Sequence, residues 1–235
     1  MENQDSPDRS GPHLVLGILT ALSLGAIVLS VDFAPADAPQ QLQVAAANTL
    51  AAGSFVLHES FSLRPTSATA PGSPARRETV EVVYQSPDKV EEKISLDNKS
   101  GTLLILGTAR YARSQSGPWL ALGPQDHTVP TGTVAAAEVV QPIRALLPAS
   151  RVAAHGERYS FDPVNRALLL DELLGAAANN SPTPPVTTFE ATVAGEFLTG
   201  FTMTAGVLGQ DVVVSFRFGS FDHAPALVAP PVAGR

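Results

Sequence analysis

The sequence predicts an α+β fold: an antiparallel sheet with helices set at two places in the order, preceded by one N-terminal transmembrane helix. Three observations carry this. Residues 14–31 hold no charged side chain. Beyond residue 54, stretches with a two-residue apolar period follow one another across short turn-forming clusters, as antiparallel neighbours do. Helix-like segments occur early and again mid-chain, not between every pair of strands, which excludes a doubly wound parallel sheet.

Composition narrows the class. The chain has 235 residues and a net charge of −7, from 15 basic and 22 acidic side chains. No basic run exceeds Arg76-Arg77, so a nucleic-acid partner is not expected. Cysteine is absent, which removes disulfides, thiolate metal ligands, Cys nucleophiles and lipidation on Cys. Charged residues make up 16% and hydrophobic ones 44%. That balance suits a membrane-attached chain with an apolar interior better than a disordered one.

The segment LVLGILTALSLGAIVLSV, residues 14–31, would span about 27 Å as a helix, close to the hydrocarbon core of a bilayer. A cleavable signal peptide is the competing reading, with Ala34-Pro35-Ala36 and Ala36-Asp37-Ala38 as small-residue sites and secretion as the consequence. Proline stands within the first and directly after the second, which favours the uncleaved anchor. Arg9 precedes the segment, and the next basic residue is Arg64. The positive-inside rule therefore puts residues 1–13 in the cytoplasm as a tail and the bulk of the chain outside it.

Residues 32–39 read as a linker. PQQLQVAAANTLAAG, residues 39–53, predicts a helix opened by Pro39, stopped at Gly53 and carrying Leu42, Ala46, Thr49 and Leu50 on one side. Phe55, Leu57, Phe61 and Leu63 then share a strand face interrupted by Glu59. RPTSATAPGSPARR, residues 64–77, is a Pro- and Ser-rich loop. Val80, Val82 and Tyr84 mark a second strand, and Val90, Ile94 and Leu96 a third. TLLILGTARYA reads as one extended run, and Trp119–Leu122 as a short strand. Residues 133–147 predict a helix that Pro142 kinks or splits. A strand over 151–161 leads into Asp162-Pro163, a cap and first-turn pair for a third helix over 164–178. Strands over 187–193, 197–204 and 210–218 follow, the first two joined by a tight turn at Ala194-Gly195-Glu196. Residues 223–235 read as a loose Pro-rich tail. The total is eight or nine strands and three helices within an extracytoplasmic domain over 40–222.

Several short segments stand in a recognisable order. They are Ser54-Phe55, Tyr84-Gln85-Ser86-Pro87-Asp88-Lys89-Val90, Leu104-Ile105-Leu106-Gly107 running to Tyr111, and Gly117-Pro118-Trp119. Arg158-Tyr159-Ser160-Phe161, Phe218-Gly219-Ser220-Phe221 and Ala229-Pro230-Pro231 complete the series. This order resembles the LolA-like fold, particularly the LppX/LprG-type lipoproteins of the actinobacterial envelope, over roughly residues 38–231. The resemblance implies a curved antiparallel sheet, a half-barrel closed on its concave side by helices. It also implies that lipids or lipidated protein segments are bound between the two. Those lipoproteins carry a lipidated Cys, which this chain lacks; the resemblance then implies that the transmembrane helix replaces the lipid anchor.

Motifs for chemistry are absent: there is no HExxH, GxSxG, P-loop or GxGxxG. Asp171-Glu172 are neighbours that point about 100° apart on a helix, which makes a poor acid–base pair. Glu59 and Glu92 fall in apolar strand registers, as paired or rim-exposed carboxylates or as ligand contacts. Asn98-Lys99-Ser100 and Asn179-Asn180-Ser181 match the glycosylation sequon. No enzyme activity, metal or cofactor is expected. Phe61, Val82, Tyr84, Ile105, Trp119, Phe201 and Phe216 are the candidate ligand-binding residues, either filling a core or lining a cavity. The expected partners are a lipid or other apolar ligand, the membrane through residues 14–31, and an envelope protein in the alternative reading of the same fold as an interaction or sensor domain with a filled core.

Overall fold

A computed structural model describes residues 37–65, 76–96, 99–123, 129–146, 149–164, 166, 187–207 and 210–232. The expected membrane segment, both sequons' asparagines, Asp171-Glu172 and all of the third expected helix except Val164 and Arg166 lie outside them. Among the described residues no helix is long and apolar enough to cross a membrane.

The described chain forms a large curved antiparallel sheet of eleven strands and two helices. Helix α1 covers Ala38–Ala51. Asp37 caps it inside the expected linker, its carboxylate accepting from the Gln40 amide at 3.0 Å, and Pro39 sits in the first turn where its missing N–H costs nothing. Strands β1 (Ser54–Pro65), β2 (Arg76–Gln85), β3 (Lys89–Leu96), β4 (Lys99–Leu106), β5 (Ala109–Ser114) and β6 (Leu120–Ala121) come next. Helix α2 (Gly132–Leu146) separates them from β7 (Ala149–His155), β8 (Arg158–Pro163), β9 (Thr187–Ala194), β10 (Phe197–Val207) and β11 (Gln210–Gly219).

From one edge to the other the sheet runs β6-β5-β4-β3-β2-β1-β11-β10-β9-β8-β7. It is two meanders, β1–β6 and β7–β11, joined where the first strand pairs with the last. Helix α1 packs on β7, β9 and β10, while α2 packs on β2, β3 and β4. One main core fills the space between helices and sheet.

The structure corrects several expectations. The extended run over 102–112 is two strands, because Gly107 at φ +62° turns the chain between β4 and β5. Residues 151–161 likewise split into β7 and β8 at Gly156, φ +68°. Left-handed backbone is open to glycine without steric cost, so both hairpins were written in the sequence as single glycines. Asp162 and Pro163 belong to β8, opposite Ser150 and Ala149, and are not a helix cap. Strands β1 and β2 extend through Pro65 and from Arg76, shortening the expected 64–77 loop at both ends. Pro142 does not split α2. It removes the amide that would have bonded the Glu138 carbonyl, and packing carries the helix through.

The start of α2 is pinned by close backbone approach. The Gly132 amide donates to the Gly107 carbonyl at 2.8 Å, and the Gly107 amide to the Asp88 carbonyl at 3.0 Å. A Cβ at position 132 would collide with the Asp88 carbonyl oxygen.

The C-terminal tail is also not loose. Leu227 is buried on the face of the sheet away from the helices, against Val83 and Leu104. The Gln85 side chain clamps the tail, donating to the Pro225 carbonyl at 3.0 Å and accepting from the Leu227 amide at 3.3 Å. Val232 bridges to Trp119. A Pro-rich segment loses little conformational entropy on docking, so a few bonds and one apolar anchor hold it.

Candidate functional site

Away from the irregularities at Leu198/Gly200 and Ser150/Ala153, alternation assigns every second residue of a strand to the helix-covered, inner face. On β1 these are Phe55, Leu57, Glu59, Phe61 and Leu63, and register extends the rows across the sheet. Phe55 lies opposite Tyr84, Tyr84 opposite Val90, and Val90 opposite Ile105. The rings of Phe55 and Tyr84 stack at 4.7 Å. On the other side of β1, Phe216 stacks on Phe201 at 5.6 Å and Phe201 on Phe189 at 6.3 Å.

Of the seven candidate ligand-binding residues, Val82, Tyr84, Ile105, Phe201 and Phe216 are brought together in this core, all buried. Phe61 is half-buried at its margin. Trp119 is elsewhere: it packs on the opposite face with Val83, Leu104 and Leu227, under the Arg113 guanidinium at 4.5 Å. It is therefore not part of an inner lining. Its place follows from the tail that covers that face, which the strand pattern does not encode.

The inner face is not covered throughout. On β3, Ile94 and Leu96 point to the same side as Val90 yet are 41% and 37% exposed. Phe61, Leu63, Val80 and Leu103 are only half-buried and pack on the core edge. Glu59, Phe61, Glu78 and Val80 line a cavity of about 220 Å³. This opening continues the buried core without a break, since Glu59 sits opposite Phe216 on one side and Val80 on the other.

Two carboxyls, Glu59 and Glu78, line the opening, and two more, Glu92 and Glu138, stand near them. Glu59 and Glu92 do face inward. Glu78 joins them opposite Phe61 and Leu96, and Glu138 comes from α2. Burial pushes the Glu59 carboxyl above its ordinary range, and the charges of Glu78 and Glu92 push it the same way. Burial also raises Glu92, with Glu138 adding to it, and partial burial raises Glu138. Among the described residues no cation pairs with any of the four. Desolvation without a partner disfavours the charged form. Of the two expected settings, paired or rim-exposed, the described side chains show the second, a carboxyl at an apolar rim. Glu78 and Glu138 were not singled out in the sequence; Glu78 was legible, being two residues before Val80 in the same alternation.

No protein-family model and no curated protein sequence matches this chain. Among solved structures it is similar to LprF from Mycobacterium bovis, with a TM-score of 0.47 and 12% identity over 84% of this chain and 98% of that one. It is also similar to a LolA superfamily protein from Nitrosomonas europaea, with a TM-score of 0.34 and 10% identity over 81% and 94% of the two chains.

Proposed function

We propose that this chain is a non-enzymatic binding protein for an apolar ligand, a lipid or acyl chain. It is held at the membrane by residues 14–31 with its sheet domain outside the cytoplasm. The observation that carries the reading is the break in helix cover over β1–β3, where Phe61, Val80, Ile94 and Leu96 leave apolar surface open beside a cavity and continuous with the core. An exposed apolar face of this kind gains about 25 cal/mol per Å² when an apolar chain covers it. Val82, Tyr84, Ile105, Phe201 and Phe216 lie deeper along the same face, packed in the core, and would have to move apart to receive a longer chain. The four carboxyls disfavour an anionic head group at the opening, so the ligand end there is neutral or cationic.

The test is binding of a pyrene-labelled monoacylglycerol to the full chain in detergent, with native mass spectrometry of material purified from membranes. Saturable binding that Ile94→Asp weakens at unchanged melting temperature supports the reading. Ile94 is already exposed, so the substitution leaves the core intact. Absence of both probe binding and co-purified lipid sinks it. A second reading, an envelope protein–protein interaction domain, is favoured by the close stacking of Phe189, Phe201 and Phe216, which fills the space over β9–β11. A stable protein complex without lipid would select it.

A further inference from the structure

The face of the sheet away from the helices carries a second concavity, of about 370 Å³, bordered by the hydroxyls of Ser60, Thr79 and Ser95, by Lys93 and Arg217, and also by Glu59 and Glu81. It sits over β11, β1, β2 and β3. Its volume falls at the small end of ligand sites in general.

Two cross-strand rows build it. In the first, Ser215 lies opposite Ser60, Ser60 opposite Thr79, and Thr79 opposite Ser95. Four hydroxyls thus stand side by side on four adjacent strands, each about 4.5–5.5 Å from the next at Cβ. In the second row Arg217 lies opposite His58, His58 opposite Glu81, and Glu81 opposite Lys93. The His58 ring nitrogen is 3.6 Å from the Glu81 carboxylate. Among the described residues neither Arg217 nor Lys93 forms an ion pair. The row thus holds two cations without an ion pair, Arg217 and Lys93, at its ends and one carboxylate, Glu81, facing His58 between them.

We propose that this concavity binds a small phosphorylated polyol, of the size and chemistry of a sugar phosphate. Arg217 and Lys93 supply charge-assisted donors to a phosphate, from opposite ends of the charged row. The hydroxyl row donates to and accepts from the ring hydroxyls, which a serine or threonine does in either sense. The absence of an aromatic platform in this lining argues against a neutral sugar held by stacking. Glu59 and Val80 border both this site and the apolar opening, but the hydroxyl and charged side chains proposed to bind the ligand point to the face away from that opening, so the proposal stands whether or not the opening takes a lipid.

Titration calorimetry on the full chain in detergent, with glucose 6-phosphate, inorganic phosphate and glucose, tests the proposal. Glucose 6-phosphate should bind more tightly than inorganic phosphate, and glucose not at all. Arg217→Ala and Lys93→Ala, both exposed positions, should each weaken glucose 6-phosphate about tenfold or more at unchanged melting temperature. Arg144→Ala, which removes an exposed arginine on α2, should leave binding as it is. No binding of glucose 6-phosphate by the native chain overturns the proposal. So does glucose binding equally well, inorganic phosphate matching glucose 6-phosphate, wild-type affinity in both cationic variants, or an equal loss in Arg144→Ala.

Discussion

Two cross-strand rows of the inner face, followed to either side of β1, reach different fates. Toward β11, β10 and β9 they run through Phe216, Phe201 and Ala191, and through Val214, Met203 and Phe189, none more than 2% exposed. Toward β2 and β3 they run through Glu59, Val80 and Ile94, and through Phe61, Glu78 and Leu96, where side chains are half-buried or exposed. Strand geometry and alternation are the same on both sides. The first side is closed by α1 across β9 and β10, and α2 leaves the far end of β3 uncovered. An apolar residue in a strand is thus an offer of burial; only a covering element completes it.

Substitutions sharpen this contrast, beginning with the largest expected effect. Phe201→Ala should cost about 3–5 kcal/mol in urea unfolding, since it opens a void among Phe161, Phe189 and Phe216. Phe61→Ala, at the open side, should cost under about 1.5 kcal/mol, since solvent already reaches its ring. Equal losses would show the two sides to be packed alike.

Gly132→Ala should cost about 1–3 kcal/mol, because the new Cβ drives the start of α2 off the Asp88 carbonyl. Fluorescence of an apolar dye at the inner face should rise with the lost cover, and an unchanged signal would separate α2 from that role.

Leu227→Ala should cost about 2 kcal/mol, at the low end for buried leucine because its site is a shallow one on the outer face. Hydrogen exchange at the Leu227 and Ala224 amides should accelerate while β9–β11 stay protected. Faster exchange throughout would tie the tail to the main core.

The smallest effect is electrostatic. Glu59 and Glu92 hold protons more tightly folded than unfolded. Stability from this source is intact below the ordinary carboxyl value of 4.5 and declines as pH rises through the raised folded values. The double variant Glu59→Gln, Glu92→Gln should therefore melt about 2 °C higher than the native chain at pH 7 and no higher at pH 4. A difference that shrinks with rising pH would mean that the carboxylates are stabilised, and hence partnered.

Much of this was legible in the residues. Strand alternation gave the inner set on β1, β2, β9 and β11, and on β10 from Phe201 on, where the bulge between Leu198 and Gly200 shifts the register before it and puts Leu198 in the core; it also placed Glu59 and Glu92 among apolar neighbours. The Asp37 cap was not read, although Pro39 and Gly53 bracketed α1. The β4–β5 and β7–β8 hairpins turn at Gly107-Thr108 and Gly156-Glu157, single glycines without the Asn or Asp that marks a two-residue turn, so the runs on either side read as one strand.

What the sequence determined by itself is local: the period of each strand, the ends of α1, the turn at Gly195, and the side of each strand on which an apolar residue falls. These depend on backbone sterics and on neighbours within a few positions. Only the tertiary structure decided which apolar rows are closed and which stay open, that Trp119 faces the tail and not the helices, and that Ser60, Thr79, Ser95 and Ser215 align in one row. Each of those rests on pairing between segments far apart in the chain, such as β1 with β11. The free energy of such pairing comes from the summed burial of whole faces and not from any residue's own preference.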